Sequence, residues 1–290
     1  MTELSLETLI KHALAQDLGK NGDITSLATI SSGQQATAEL VVKTKKGTLS
    51  GLDISKLVFN TLDPKIIFTP LFKDGDKIKK GDVLAKISGP ARSILAAERV
   101  ALEFIRRLSG IATKTNLFTE EIKEFSTKIL DTRKILPGYG ALDKKAVRDG
   151  GGTNHRQNLS EMGLIKNNHI DVNNGDIKKC IDLFRKSNPN IPLEVEVRNQ
   201  GEFEIALQNN PDRIMLDNMN NRDLLIAVSK RNNYKNKYVP LEASGNMTLD
   251  RVKEVAQTGV DYISVGSLTH SVEAFDISLH ITFNSVIART

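Results

Sequence analysis

The sequence predicts an α/β protein whose C-terminal part is a parallel β/α barrel. Six short apolar runs recur between residues 129 and 265, and helical segments separate the later ones. Strand and helix alternating at roughly 20 to 30 residues are typical of a parallel sheet. A doubly wound open sheet is the alternative, but no GxGxxG motif follows the first strand, so the barrel is favoured.

The predicted strands of this part are residues 129–132, 162–166, 193–197, 213–217, 238–243 and 261–265. The predicted helices between them are residues 175–188, 200–209, 221–232 and 249–259. The part before them is organised differently. Residues 1 to about 30 predict a helix, residues 36–90 are β-rich with Gly-Asp turns, and residues 91–125 return to helical spacing. We expect a domain boundary near residue 110.

The composition is that of an ordinary globular protein. The 290 residues are 39% hydrophobic and 26% charged, which excludes collagen, long disordered tails and a membrane channel. No apolar run approaches the roughly 20 residues that cross a bilayer. The N-terminus has an amphipathic helical period instead of a signal peptide, and the single cysteine, Cys180, fits a reducing compartment. We therefore expect a soluble cytoplasmic protein.

The net charge of +5 narrows the possible partners. A basic balance is compatible with nucleic acid, an anionic membrane or anionic small molecules. The charges are mixed along the chain, aromatic residues make up 5% and tryptophan is absent, so stacking platforms for nucleic acid are few. Anionic small molecules are the expected partners.

Polar residues stand at the C-terminal ends of the predicted strands, the rim where α/β barrels carry their active sites. The cations among them are Arg133, Lys134, His155, Arg156 and Lys166. Several cations at one site indicate a ligand with several negative charges, since uncompensated like charges repel, and Arg suits carboxylates and phosphates. The preceding loop Gly150–Gly152 is either an anion-binding backbone or a flexible turn.

Two further loops and two carboxylates complete the predicted rim. Ser244, Gly245 and Asn246, and then Ser264–Ser267, precede helical segments and predict either phosphate-binding helix starts or ordinary helix caps. Glu196 and Asp217 could hold Mg²⁺, or form salt bridges to lysines. His169 and His270 lie near the same rim, and the sequence leaves open whether they reach the site.

Nine motifs, in order along the chain, resemble the quinolinate phosphoribosyltransferases, or nicotinate-nucleotide pyrophosphorylases (carboxylating). They are QDLGKNGDITS, AERVALEFIRRLSGIAT, ILDTRKILPG, AVRDGGGTNHR, LIKNNH, EVEV, IMLDNM, LEASGNMTLDRV and GVDYISVGSLTHS. The resemblance extends from about residue 7 to 280. It implies a type II phosphoribosyltransferase fold: an N-terminal α/β sandwich domain, residues 1–110 with 275–290, and an incomplete, open TIM-like α/β barrel, residues 111–274.

The resemblance also implies a reaction. Quinolinate and 5-phosphoribosyl 1-pyrophosphate would give nicotinate mononucleotide, pyrophosphate and CO₂ in de novo NAD synthesis, with Mg²⁺. Members of the family are homo-oligomers, at least dimers. Arg99, in AERVA, would reach the active site of the neighbouring subunit; taken alone, it would be an exposed helix charge.

The same resemblance carries roles to individual residues. Quinolinate would contact Arg99, Arg133, His155, Arg156 and Lys166, with Lys134 close to both substrates. Glu196 and Asp217 would bind the ribose and the metal. The phosphate loops would include Ser244, Gly245, Asn246, Ser264, Val265 and Gly266. We expect Lys166, His155, Glu196 and Asp217 to be catalytic, with Lys166 or His155 directing protonation of the ring carbon after CO₂ departs.

Four positions depart from the family pattern. Arg198 follows EVEV in place of another Glu, and Gly140 replaces an Arg. Asn167 replaces the Asp of LIKDNH, and Gln16 the Glu of EDLG. Arg198 puts metal or ribose binding in question, and Gly140 removes one possible substrate cation. Two alternatives therefore stay open: a related phosphoribosyltransferase for another acidic aromatic, and a catalytically silent paralogue that binds an anion.

Overall fold

The computed structural model describes residues 5–282. The helices are α1 (Leu6–Leu18), α2 (Ile24–Thr29), α3 (Leu52–Leu62), α4 (Ala91–Glu121), α5 (Gly140–Asp149), α6 (Asn167–Val172), α7 (Ile177–Ser187), α8 (Gln200–Gln208), α9 (Asn221–Asn233), α10 (Leu249–Gln257) and α11 (Ser267–His270). The strands are β1 (Gln35–Val42), β2 (Lys46–Thr48), β3 (Ile67–Pro70), β4 (Lys77–Lys79), β5 (Val83–Pro90), β6 (Lys128–Leu130), β7 (Gly163–Ile165), β8 (Leu193–Val197), β9 (Arg213–Asp217), β10 (Leu241–Ser244), β11 (Tyr262–Ser264) and β12 (Ile277–Thr282).

The chain divides into two compact units, residues 1–113 with 272–290, and residues 114–271. The boundary falls inside α4, a few residues beyond the predicted position near 110, so a continuous helix stands where a linker would be expected. The returning segment was predicted as residues 275–290, of which 283–290 lie outside the described residues. Within the described part, no helix is both long and apolar enough to span a membrane.

The first unit is built on an antiparallel sheet in the order β12-β1-β5-β3. β1 alternates exposed and buried residues, the pattern of a sheet with one face packed on a core. The sequence predicted one helix up to residue 30, but two form, and Asp23 caps the second by accepting from the N–H groups of Thr25 and Ser26. The β-rich stretch predicted over 36–90 contains β1 to β5, but α3, which was not predicted, lies between β2 and β3.

α3 was missed because β-rich runs flank it on both sides. Its buried residues include Leu52, Ser55, Val58 and Phe59, whose spacing of three or four places them on one helical face. Gly51 precedes the helix with φ +90°, and a Cβ at this position would lie 2.8 Å from Leu108. Glycine is therefore required at this turn.

The second unit contains a parallel sheet of six strands in the order β6-β11-β10-β9-β8-β7. All six strands predicted from the apolar runs are present, and α7 to α10 match the four predicted helices. The sheet stays open between β6 and β7, so the barrel is incomplete, as the resemblance implied. A single bridge between Leu130 and Thr153 extends the β6 edge. The helices α5 and α6 were not predicted, whereas α11 begins at the predicted helix start Ser264–Ser267.

Candidate active site

A cavity of about 1080 Å³ lies at the carboxyl ends of the parallel strands, within the second unit. Twelve of the predicted site residues line it: Arg133, Lys134, His155, Arg156, Lys166, Glu196, Asp217, Ser244, Gly245, Asn246, Ser264 and Gly266. His270 also lines the cavity, whereas His169 is not among its lining residues. Parallel strands end at one edge of the sheet, so residues more than 130 positions apart in the chain share this cavity.

Two predicted residues lie elsewhere. Val265 is fully buried, and its N–H donates to the carbonyl of Leu130, so it has neither a surface nor a free amide for phosphate. Arg99 lies on α4 in the first unit, where its guanidinium is 3.3 Å from the Glu103 carboxylate and 60% exposed. Arg99 is not among the residues that line this cavity.

The cations are held by short segments after β6 and before β7. Arg133 and Lys134 follow β6, and the Lys134 carbonyl accepts from Thr269 Oγ1 at 2.8 Å. Arg156 is buried and donates to the Met162 carbonyl at 2.8 Å. Burial and the neighbouring Arg133 lower the pKa of Arg156. Two adjacent guanidinium groups repel each other, so the site favours an anionic ligand.

Of the two interpretations of Gly150–Gly152, the structure favours a turn over an anion-binding backbone. The N–H groups of these glycines donate to carbonyls of Ala146, Arg148 and Val147, and none of the three glycines lines the cavity. The loop ends α5 instead. Gly151 has φ +89°, and a Cβ on Gly152 would lie 2.8 Å from Thr115, so the glycines allow a tight reversal that brings His155 and Arg156 to the cavity.

The two predicted metal and ribose carboxylates end neighbouring strands, Glu196 on β8 and Asp217 on β9. The N–H of Asn167 lies 3.4 Å from Glu196 Oε1. Burial raises the pKa of Glu196, and the charge of Asp217 raises it further. Two carboxylates that repel each other in a half-buried cavity fit a divalent cation.

Arg198 and Gly140, the two departures from the family pattern that bear on metal and substrate binding, do not line the cavity. Arg198 pairs with Asp171 at 3.0 Å and with Glu202 at 2.6 Å, and it does not line the cavity. Gly140 begins α5 and is also absent from the lining. Arg198 therefore reverses no charge beside Glu196, since its side chain is bound among carboxylates elsewhere.

A tight loop follows β10 at the predicted phosphate-binding residues and borders the cavity. Gly245 has φ +102°, and a Cβ there would lie 2.1 Å from Asn218 Oδ1. Arg251 donates to the carbonyl of Gly245 at 3.0 Å and to that of Met219 at 2.8 Å. The backbone of Ser244–Asn246 is thus held beside the loop after β9, where both border the cavity.

The sequence reasoning missed a charged group beneath the cavity. His155 Nε2 lies 2.9 Å from Glu194 and 3.4 Å from Glu242, and Arg213 lies 2.9 Å from Glu242. Both glutamates are 0% exposed. The alternation in LEVEV could have found Glu194, since it shares a strand face with Glu196.

These carboxylates act on the imidazole of His155. Burial lowers the pKa of His155, but Glu194 and Glu242 outweigh it and raise the pKa to about 9. The N–H of Arg156 points at His155 Nδ1 at 2.8 Å, and a doubly protonated ring has no lone pair to accept it. The neutral ring, present above that pKa, therefore carries its proton on Nε2.

The same group also bears on metal binding. Among the described residues, the only cluster of three metal-ligand side chains is His155, Glu194 and Glu242. Its carboxylates already face the imidazole and Arg213, so we do not assign an ion to it.

Two family models match the chain, and the division between them lies close to the boundary between the two units. The N-terminal domain model of quinolinate phosphoribosyl transferase matches residues 23–109, and the C-terminal domain model matches residues 111–280. The open parallel barrel and its cation-lined cavity are thus those of a phosphoribosyltransferase, a transferase enzyme. The matches span most of the chain, which belongs to the quinolinate phosphoribosyltransferase family.

Individual relatives agree with this assignment. The chain is 41% identical to a chloroplastic nicotinate-nucleotide pyrophosphorylase (carboxylating) of Oryza sativa, over 95% of this chain and 77% of the relative. It is 37% identical to the corresponding Mycobacterium leprae protein, over 94% and 95%. The solved structure of NadC from Streptococcus pyogenes is 36% identical, with a TM-score of 0.91 and 98% coverage of both chains.

Proposed function

We propose that this enzyme transfers the phosphoribosyl group of 5-phosphoribosyl 1-pyrophosphate to the ring nitrogen of quinolinate, with loss of CO₂. The products are nicotinate mononucleotide, pyrophosphate and CO₂, as in de novo NAD synthesis. The observation that carries the proposal is the set of cations around one cavity, which the tight loop Ser244–Asn246 also borders. Relatives named for this activity support it.

Binding follows from charge. Arg133, Arg156 and Lys166 line one cavity, and guanidinium groups form paired hydrogen bonds with carboxylates. Quinolinate carries two carboxylates, so it relieves the repulsion between the arginines as it binds. Held in this way, its ring nitrogen is oriented toward the ribose carbon that it attacks.

The transfer step builds positive charge on the ribose while pyrophosphate leaves. Glu196 and Asp217 lie at the rim where that charge would develop, and they are placed to stabilise it. Magnesium, when bound, neutralises the pyrophosphate that departs. The same two carboxylates would hold the metal, because their oxygens are the ligands that Mg²⁺ prefers.

The decarboxylation step uses the ring nitrogen as an electron acceptor. Once ribosylated, the nitrogen is cationic. The bond from the adjacent carbon to its carboxylate then breaks, and CO₂ leaves its electron pair on the ring carbon. That carbon takes a proton from Lys166 Nζ, which solvent restores. Lys166 fits this role better than His155, because the Arg156 N–H lies at Nδ1 of His155 and two buried carboxylates lie within 3.4 Å of Nε2.

The proposed assembly is a homodimer in which Arg99 enters the cavity of the partner subunit. Its exposure on α4 leaves it available for such a contact. Mixing two inactive variants, Arg99→Ala and Lys166→Ala, should restore part of the activity, because one mixed dimer site then has both residues intact. Mixtures that stay inactive after subunit exchange would refute this arrangement.

We also propose a cytoplasmic location, although the Oryza sativa relative is named as chloroplastic. The support is a free, buried thiol, Cys180, which suits a reducing compartment. Fractionation of the source cells tests this location directly.

One assay tests the reaction. Carboxyl-labelled quinolinate, 5-phosphoribosyl 1-pyrophosphate and Mg²⁺ should yield labelled CO₂ and nicotinate mononucleotide, and EDTA should abolish both until Mg²⁺ is restored. Omission of the phosphoribosyl donor is the control, since decarboxylation requires the ribosylated ring. A protein that binds quinolinate but releases no CO₂ would be the silent paralogue, and one that turns over only another aromatic acid would be a related transferase.

A further inference from the structure

The layer beneath the cavity is built from the same strand faces as the cavity itself. In parallel strands, alternate residues share a face, and Glu194 and Arg213 are register partners on β8 and β9. Two residues further along lie Glu196 and Met215, which line the cavity. Glu242 occupies the equivalent position on β10 and forms part of the cavity floor.

Stability alone does not explain two buried glutamates here. Apart from the approach of His155, neither oxygen of Glu194 has a hydrogen-bond partner among the described residues. Glu242 is better compensated, through Arg213 at 2.9 Å. Burying carboxylates with so few partners is costly, and apolar residues of similar size often serve folding equally well. The pair therefore indicates a functional requirement.

The carboxylates reach the substrate site through the imidazole of His155. Glu194 and Glu242 face Nε2 of the ring, and the N–H of Arg156 lies 2.8 Å from Nδ1 on its other side. Arg156 directs its guanidinium to the cavity and to the Met162 carbonyl. The ring thus connects the buried carboxylates to the backbone of an arginine that is placed to bind quinolinate.

We propose that Glu194 and Glu242 are positioning residues that fix the orientation of the His155 ring, and through it the placement of Arg156 for quinolinate. The inference rests on the proposed function. Neither glutamate touches the reacting atoms. Their role resembles that of the carboxylates that orient metal-bound histidines, whose removal costs about 10- to 100-fold.

Kinetics of Glu194→Gln and Glu242→Gln separate this role from a plain charge effect. Each substitution removes a negative charge, so a purely electrostatic role would lower the KM for quinolinate. A positioning role raises that KM by about tenfold or more and leaves the KM for the phosphoribosyl donor unchanged. Glu242→Asp should recover part of the loss, and Glu254→Gln, on α10, is the matched control.

A readout independent of activity is the nitrogen NMR spectrum of His155, assigned with a His155→Asn variant among the five histidines. Above pH 9, where the ring is neutral, the wild-type proton should lie on Nε2 and not on Nδ1. Both glutamine variants, if folded, should show mixed tautomers of the neutral ring. A neutral wild-type ring with its proton on Nδ1, or variants with unchanged quinolinate KM, would overturn the proposal. A wild-type protein that releases no CO₂ but shows the Nε2 tautomer would contradict the proposed function and not the inference.

Discussion

Lys144 and Asp131 form an ion pair in which Nζ lies 2.5 Å from Oδ1, with 1% and 0% of the two side chains exposed. Lys144 also donates to the carbonyl of His155, and Asp131 accepts from the N–H of His155. Asp131 directly precedes the segment that carries Arg133. The pair therefore fastens the two cation-bearing segments of the cavity to each other.

Replacing Lys144 with Met should leave Asp131 buried without its cation. Burial already raises the pKa of Asp131, against the effect of Lys144. We expect a loss of about 3–5 kcal/mol in the free energy of unfolding, measured by denaturant titration. The double variant Lys144→Met, Asp131→Asn should lose less, since no buried charge remains unpaired. Equal stability of Lys144→Met and wild type would contradict the structural role of the pair.

Arg156→Lys should weaken quinolinate binding without unfolding the protein. Lysine keeps the charge but loses the planar fork that pairs with a carboxylate. A charge-assisted hydrogen bond contributes about 1.5–3 kcal/mol, so the KM for quinolinate should rise accordingly in steady-state assays. Arg198→Ala is the matched control, because its ion pairs are exposed and lie outside the cavity. A comparable KM change in both variants would argue against the assigned site.

Gly245→Ala tests the loop after β10. With φ +102° and Asn218 Oδ1 2.1 Å from the added methyl group, the loop must shift or strain by about 1–3 kcal/mol. The KM for the phosphoribosyl donor should rise more than that for quinolinate, because the loop is the proposed phosphate site. Gly33→Ala, where no atom lies within 4 Å, should behave as wild type. An unchanged donor KM would place the phosphates elsewhere.

Asp212 gives a pH-dependent test of the barrel. Burial alone would raise the pKa of Asp212, but hydrogen bonds from Lys237 and the Leu193 N–H outweigh it and lower the pKa below 3.8. The ionised form therefore stabilises the fold above that value, and the contribution is lost as the pH falls through the lowered pKa. Asp212→Asn should be less stable than wild type near neutrality, by about 1 kcal/mol or less because the pair is half exposed.

Denaturant titrations at several pH values measure this difference, which should shrink below pH 3.8. Lys237→Met should remove part of the same pH dependence. A difference between Asp212→Asn and wild type that stays constant down to acid pH would show that the carboxylate charge is not responsible.

The sequence alone determined the parallel β/α part, because buried strands appear as short apolar runs and amphipathic helices as apolar residues spaced three or four apart. It also determined which polar residues end those strands, and hence the charge of the cavity. Only the tertiary structure placed Arg198 outside the cavity and showed that Gly150–Gly152 ends a helix. Only the fold set Glu194 and Glu242 beneath His155, because contacts between strands depend on register and on the way the sheet curves. The sequence pattern shows on which face of its helix or strand a side chain lies, and tertiary packing decides which residues it contacts there.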